Sequence, residues 1–133
     1  MKKYLILFVF FVLLGCSKKT SVKSEPEPDP IPKCQVTPTT LDFGYQYWDH
    51  QYTRSFNVKN IGAVLFNGTL KLVDESDPGV FTIPEANRNY TLYPGQSFDV
   101  IVTFHCGVGE WNATIETGNS CCPDIYCHGR GHW

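Results

Sequence analysis

The chain has 133 residues, a formal net charge of −2, nine Pro, eleven Gly, six Cys and one Met, and 14% of it is aromatic. Once an export segment and a spacer are set aside, about 100 residues remain for one folded unit, close to the usual size of a domain. This excludes a multidomain enzyme, a transmembrane bundle and a coiled coil: the one long apolar run stands at the start, and the Pro, Gly and aromatic content suits a β-rich module.

Met1-Lys2-Lys3 supplies a positive start, and Tyr4 to Leu14 is an apolar run too short to span a bilayer, which reads as a signal sequence. The run ends in Leu13-Leu14-Gly15-Cys16, which resembles the lipobox of bacterial lipoproteins. The resemblance implies that residues 1–15 are removed and that Cys16 is acylated, with palmitate-type chains holding the protein on a membrane. The expected location is the bacterial cell envelope. Ser17 is not the aspartate associated with inner-membrane retention in enteric bacteria, so in a Gram-negative envelope the outer membrane is expected over the inner.

Residues 16–33 form the lipidated cysteine and a linker too polar and proline-rich to pack. Glu25-Pro26-Glu27-Pro28-Asp29-Pro30-Ile31-Pro32 has Pro at every second position, which favours an extended polyproline-like spacer. From Ser17 to Lys33 it would reach roughly 50 Å at about 3.1 Å per residue. Within residues 34–133 the basic side chains are Arg54, Lys59, Lys71, Arg88 and Arg130 against twice as many acidic ones, the wrong balance for nucleic acid. Lys18, Lys19, Lys23 and Lys33 concentrate the remaining positive charge in the linker, where anionic headgroups would attract it.

From Cys34 onward, period-two apolar runs alternate with turn signals, so strands joined by short connections are expected. The runs are Leu41 with Phe43, Phe56 with Val58, Leu70 with Leu72, Phe81 with Ile83, Phe98 to Phe104, Trp111 to Ile115, and a last strand near Cys122 to His128. Tyr93-Pro94-Gly95-Gln96 reads as a type II turn, and Gly118-Asn119-Ser120 as the close of a hairpin. About seven strands and no helical stripe predict an all-β, immunoglobulin-like antiparallel β-sandwich over residues 34–133.

Leu41-Asp42-Phe43-Gly44, Phe56-Asn57-Val58-Lys59-Asn60-Ile61-Gly62, Leu92-Tyr93-Pro94-Gly95-Gln96-Ser97, Val102-Thr103-Phe104 and Gly129-Arg130-Gly131 follow one another in an order that resembles the ASH/Hydin-like immunoglobulin-type domain. Bacterial members of that family are labelled choice-of-anchor D domains. The resemblance implies a binding or architectural module without catalytic chemistry. Asn60 and Gly62 are expected to take left-handed backbone conformations in a tight turn.

Cys16 aside, five cysteines remain: Cys34, Cys106, Cys121, Cys122 and Cys127. Export favours disulfides, and the count alone leaves the pairing open. In an immunoglobulin-type sandwich the first strand runs parallel to the last, which would set Cys34 beside Cys121 or Cys122. Shared inward parity then suggests Cys106 to Cys127, with a local Cys122 to Cys127 clip as competitor. A metal site is the alternative use of the region, because His105, Cys106, Cys127, His128 and His132 are ligand types that zinc or copper accepts. Adjacent strand residues point to opposite faces, however, which favours disulfides over a convergent ligand set.

Asp74 to Gly79 lacks the ligand spacing of calcium loops, and no nucleophile, zinc-hydrolase or phosphate-loop motif occurs in the sequence. No cofactor is expected, and the chain is read as non-enzymatic. Tyr45, Tyr47, Trp48 and Tyr52 form an aromatic cluster between the first two strands, of the residue types enriched at recognition surfaces. The functional expectation is a lipid-anchored envelope protein whose immunoglobulin-like domain binds or scaffolds a protein or glycan. The alternative is a small zinc- or copper-binding envelope lipoprotein.

Overall fold

The computed structural model describes residues 30–133. The readings placed on residues 1–29, including Cys16, lie outside them. Ten strands follow in chain order: β1 (Cys34–Thr37), β2 (Thr40–Tyr47), β3 (Gln51–Asn60), β4 (Phe66–Thr69), β5 (Lys71–Val73), β6 (Phe81–Thr82), β7 (Asn89–Leu92), β8 (Ser97–His105), β9 (Gly109–Glu116) and β10 (Ile125–His132), with one 3-10 turn at Glu85–Asn87. One sheet has the order β1-β3-β8-β6 and the other β2-β10-β9-β5, and β4 pairs with β7 in a two-stranded ribbon.

The expected immunoglobulin-like sandwich is present. The strand number exceeds seven because two predicted segments divide and β7 had no apolar run long enough to announce it. The first strand divides at Thr37-Pro38, a cis peptide. Before it β1 pairs with β3, and after it β2 runs parallel to β10 in the opposite sheet.

β8 shows why the alternating pattern was legible. Val100, Val102 and Phe104 are buried, while Asp99 and Ile101 face water. Phe43 from β2, Phe81 from β6 and Phe104 from β8 stack in the centre with ring centroids 5.1 to 5.8 Å apart. Each such side chain contributes roughly 2 kcal/mol of burial. Gly129 and Gly131 of β10 are glycines because the core leaves no room for more: a Cβ on Gly129 would stand 2.6 Å from the Phe104 ring, and one on Gly131 2.4 Å from the Cys106 sulfur. Arg130, between them, points outward.

The predicted turn at Tyr93-Pro94-Gly95-Gln96 forms, with Gly95 at φ 82° and the Gln96 N–H donating to Tyr93 O at 3.0 Å. The expectation for Asn60 and Gly62 is corrected, since neither adopts a left-handed conformation. Asn60 is fully buried, and its amide ties three loop groups together. Its Nδ2 donates to Val64 O and Leu92 O at 2.8 Å each, and its Oδ1 accepts from the Gly62 N–H at 2.9 Å. Gly62 is required for space, because a Cβ there would lie 2.6 Å from Lys33 N.

Cys34 is bridged to Cys122, closing a loop of sequence separation 88. This is one of the two partners expected, and it rules out the Cys122 to Cys127 clip. The Cys106 to Cys127 bridge is not formed: both are free, buried thiols, and Cys121 is a free, half-buried one. The parity was right but the register was not. Cys106 sits against Gly131, four residues beyond Cys127 along β10, which is about 13 Å of strand. The loop after Phe104 is therefore not held covalently. Instead the Cys106 N–H donates to His50 O at 3.0 Å and its carbonyl accepts from Asp49 N–H at 2.9 Å.

Candidate binding face

The outward residues of β2 and β10 build the candidate site. Along β10 they are Tyr126, His128, Arg130 and His132, and Asp42, Tyr45 and Tyr47 lie opposite them on β2. Strict alternation on β2 would bring Asp42 outward with Gly44 and turn Tyr45 into the core. A bulge between the His128 and Arg130 register positions absorbs one residue, and Gly44 adopts φ 66°, open only to glycine without strain. The Asp42 carboxylate accepts the Gly44 N–H at 2.8 Å, which secures the bulge and covers a donor of the edge strand.

Two arrangements share this face. The first is aromatic. The Tyr47 ring lies 4.9 Å from His132, and Tyr45 lies 6.3 Å from it on the other side. Trp48 meets Trp133 edge to face at 4.8 Å, and the Trp48 N–H donates to His132 O at 3.0 Å. Exposure runs from 45% for Trp48 to 76% for Trp133, so these rings are presented to solvent rather than packed away.

The second arrangement is polar. Glu110 of β9 accepts from His128 Nε2 at 2.8 Å and from Arg130 at 3.0 Å, and Arg130 also donates to the Tyr45 hydroxyl at 3.0 Å. The other ring nitrogen of His128 is 3.7 Å from Asp42. The bond to His128, then that to Arg130, holds the Glu110 carboxyl below its ordinary value, and the Gly44 N–H does the same for Asp42. Bonds to Glu110 and Tyr45 raise Arg130 further, keeping it a cation. The network fixes the Tyr45 hydroxyl and links the aromatic strip to a charged border.

Three of the four predicted aromatic residues belong to this face. Tyr52 does not: it lies on β3 in the other sheet, half-buried against the core, with its ring stacked on His50 at 6.3 Å. Arg130, His132, Trp133 and Glu110 were missed as members of this face; the period-two row Tyr126, His128, Arg130, His132 signals the first two once the last strand is carried to its end, whereas Glu110 joins only through the pairing of β9 with β10.

The alternative metal ligands are not brought together. His105 contacts Thr82 Oγ1 at 3.2 Å, His128 bridges two carboxylates through opposite nitrogens, His132 lies among tyrosines, and Cys106 and Cys127 are a register apart. No group of three or more metal-ligating side chains converges among the described residues.

Two surface depressions are present among the described residues. One of about 240 Å³ lies beside Trp48, lined by Asp49, His50, Gln51, His105, Cys106 and Gly107. A larger one of about 390 Å³ lies over the β4–β7 ribbon, lined by Asn67, Thr69, Asn89 and Thr91 among others. Its one titratable group, Tyr90, is already committed, donating to Thr117 O at 2.9 Å.

No protein-family model matches the chain, and no curated protein matches it in sequence. Solved structures do. The chain is similar to the ASH/PapD-like domain of human CEP192 (PapD-like domain 7), with TM-score 0.58, 14% identity, and coverage of 84% of this chain and 96% of that one. It is also similar to the CsuC–CsuE chaperone–tip adhesion subunit pre-assembly complex of Acinetobacter baumannii, with TM-score 0.56 and 8% identity over 74% of this chain and 57% of that one. A Porphyromonas gingivalis W83 protein of unknown function gives TM-score 0.53 and 14% identity, over 74% of this chain and 46% of that one. At these identities the likeness establishes the fold. The domain has the immunoglobulin-type sandwich fold that ASH- and PapD-like domains share.

Proposed function

We propose that the protein is a non-enzymatic, lipid-anchored cell-envelope protein whose sandwich displays the β2–β10 face to a protein or glycan partner. One observation carries the binding role: Tyr45 and Tyr47 of β2, His132 of β10, and Trp48 and Trp133 just beyond the ends of those strands form an exposed aromatic strip bordered by the Glu110–Arg130 pair. Amphipathic rings held rigidly lose little entropy on binding, which makes them efficient recognition elements. The lipobox-like Leu13-Leu14-Gly15-Cys16 supports the anchor. Fold likeness to PapD-like domains is compatible with binding, but the face itself is the argument.

The test is capture from intact envelopes with a photocrosslinker at Tyr47, followed by Trp48→Ala. The expected result is a discrete partner lost in the variant while its melting temperature stays unchanged. Equal capture by the variant would remove the face from the binding site. Cys16→Ser should release the protein from membranes.

A further inference from the structure

The end of the sandwich remote from Trp48 is built differently. Residues 31–33, 61–65 and 92–96 meet there around Asn60: the Ile61 N–H donates to Lys33 O at 3.0 Å, the Asn60 amide holds Val64 O and Leu92 O, and the Gly95 N–H donates to Asn60 O at 2.9 Å. Four large apolar side chains at this end, Ile31, Ile61, Leu65 and Tyr93, are exposed by 44 to 70%. Lys33 is the one charged residue in the three segments. The neighbouring loop before β10 adds Asp124, whose carboxylate is turned back onto the Thr117 N–H at 3.2 Å. The Trp48 end, by contrast, carries Asp49 and the paired Glu110 and Arg130. The ten residues of β3 separate the two ends by roughly 30 Å.

We propose that this apolar end rests on the lipid headgroup surface of the membrane that holds Cys16, with Ile31, Ile61, Leu65 and Tyr93 at the interface and the Trp48 end pointing away. The inference rests on the lipid-anchor reading above. Three observations select a lipid surface as the occupant. The chain from Cys16 enters the domain at this end, through Ile31 and Lys33. The charge matches, since Lys33 and the linker's Lys18, Lys19 and Lys23 suit anionic headgroups. The patch is also small: four side chains fall well short of the roughly 800 Å² per partner of a stable protein interface, whereas a bilayer requires no shape complementarity. Tyrosine is itself favoured at the membrane interface. With the extended linker of roughly 50 Å lying along the bilayer, the encounter is intramolecular, so a weak intrinsic attraction suffices.

The test uses the full chain extracted from membranes and reconstituted into vesicles of phosphatidylethanolamine and phosphatidylglycerol, with and without brominated acyl chains. The native tryptophans Trp48, Trp111 and Trp133 lie towards the other end, so Tyr93→Trp reports on this one, and Ile61→Trp supplies the same readout should the first variant misfold. Mass spectrometry of the N-terminal peptide reads the lipid separately. The expected result is an acylated chain whose added emission is about halved by bromine while the native emission is not, as shallow insertion of the apolar side chains requires. An acylated chain with unquenched Tyr93→Trp and Ile61→Trp emission overturns the inference and leaves the anchor standing. An unacylated chain that still sediments with vesicles and is quenched removes the anchor and retains the lipid-facing end. A chain that neither carries lipid nor sediments overturns both. Unquenched emission with a doubled sedimentation mass assigns the patch to a second copy and likewise overturns the inference.

Discussion

Single residues in this domain act mainly through space and buried polarity. Asn60 is itself fully buried and satisfies two carbonyls and one N–H at the junction of three loops. Asn60→Ala should therefore cost about 2–4 kcal/mol in urea unfolding, because it strands three backbone groups at once. A loss below about 0.5 kcal/mol would show that water replaces the amide. At Gly129 the added methyl of Gly129→Ala meets the Phe104 ring, and a loss of about 1–3 kcal/mol is expected. The loss should shrink in a Phe104→Leu background, and a double-mutant cycle with no coupling would dispose of that contact.

Burial also governs the thiols. It pushes Cys127 up to about 12, so this thiol stays protonated and inert to iodoacetamide at mildly alkaline pH while the chain is folded. The unfolded chain ionises it nearer its ordinary 9.0, so this group favours folding below that pH and loses its contribution as pH rises through about 12. Among Cys106, Cys121 and Cys127, alkylation of the native protein should mark Cys121 first.

Elements are joined by one covalent bond and one charged network. The Cys34–Cys122 bridge ties the start of β1 to the loop preceding β10, across 88 residues. Replacing both cysteines by alanine should cost roughly 2–5 kcal/mol, since a loop this long leaves much unfolded-state freedom to restrict. Recovery of Cys34 as a free thiol in non-reducing peptide mapping would contradict the pairing.

Between β9 and β10, Glu110 is held below its ordinary value of 4.5 by His128 and Arg130. As pH falls, the unfolded chain takes up this proton first. The contribution is therefore full above about 4.5 and is lost as pH drops through the lower folded value. The melting temperature should fall more steeply below that pH in the wild type than in Glu110→Gln, by a modest amount because the group is exposed. Parallel curves would show that the network contributes no stability.

The described residues have two unlike ends: an aromatic face bordered by the Glu110–Arg130 pair, and an apolar end where the linker arrives. The composition of the binding face gives a prediction at this scale. Trp133→Ala should weaken partner capture as Trp48→Ala does, whereas Tyr52→Ala should lower the melting temperature and leave capture intact. A partner lost with Tyr52 but retained without Trp133 would move the site to the other sheet.

The sandwich was legible in the amino-acid sequence because alternation is a local property. Phe98 to Phe104 and Trp111 to Ile115 declare their inward faces without reference to any neighbour, and the Tyr93 to Gln96 turn is written in Pro94 and Gly95. Local pattern likewise marked Tyr45, Tyr47 and Trp48. Only the tertiary structure decided which distant residues join them, because pairing depends on register, and register is set across strands. One bulge at Gly44 turns Tyr45 outward onto Arg130. Four residues of offset along β10 leave Cys106 and Cys127 apart despite their common parity, while the turn from β2 into β3 crosses to the other sheet and carries Tyr52 away from the aromatic face, and the pairing of β1 with β3 leaves Cys34 beside Cys122.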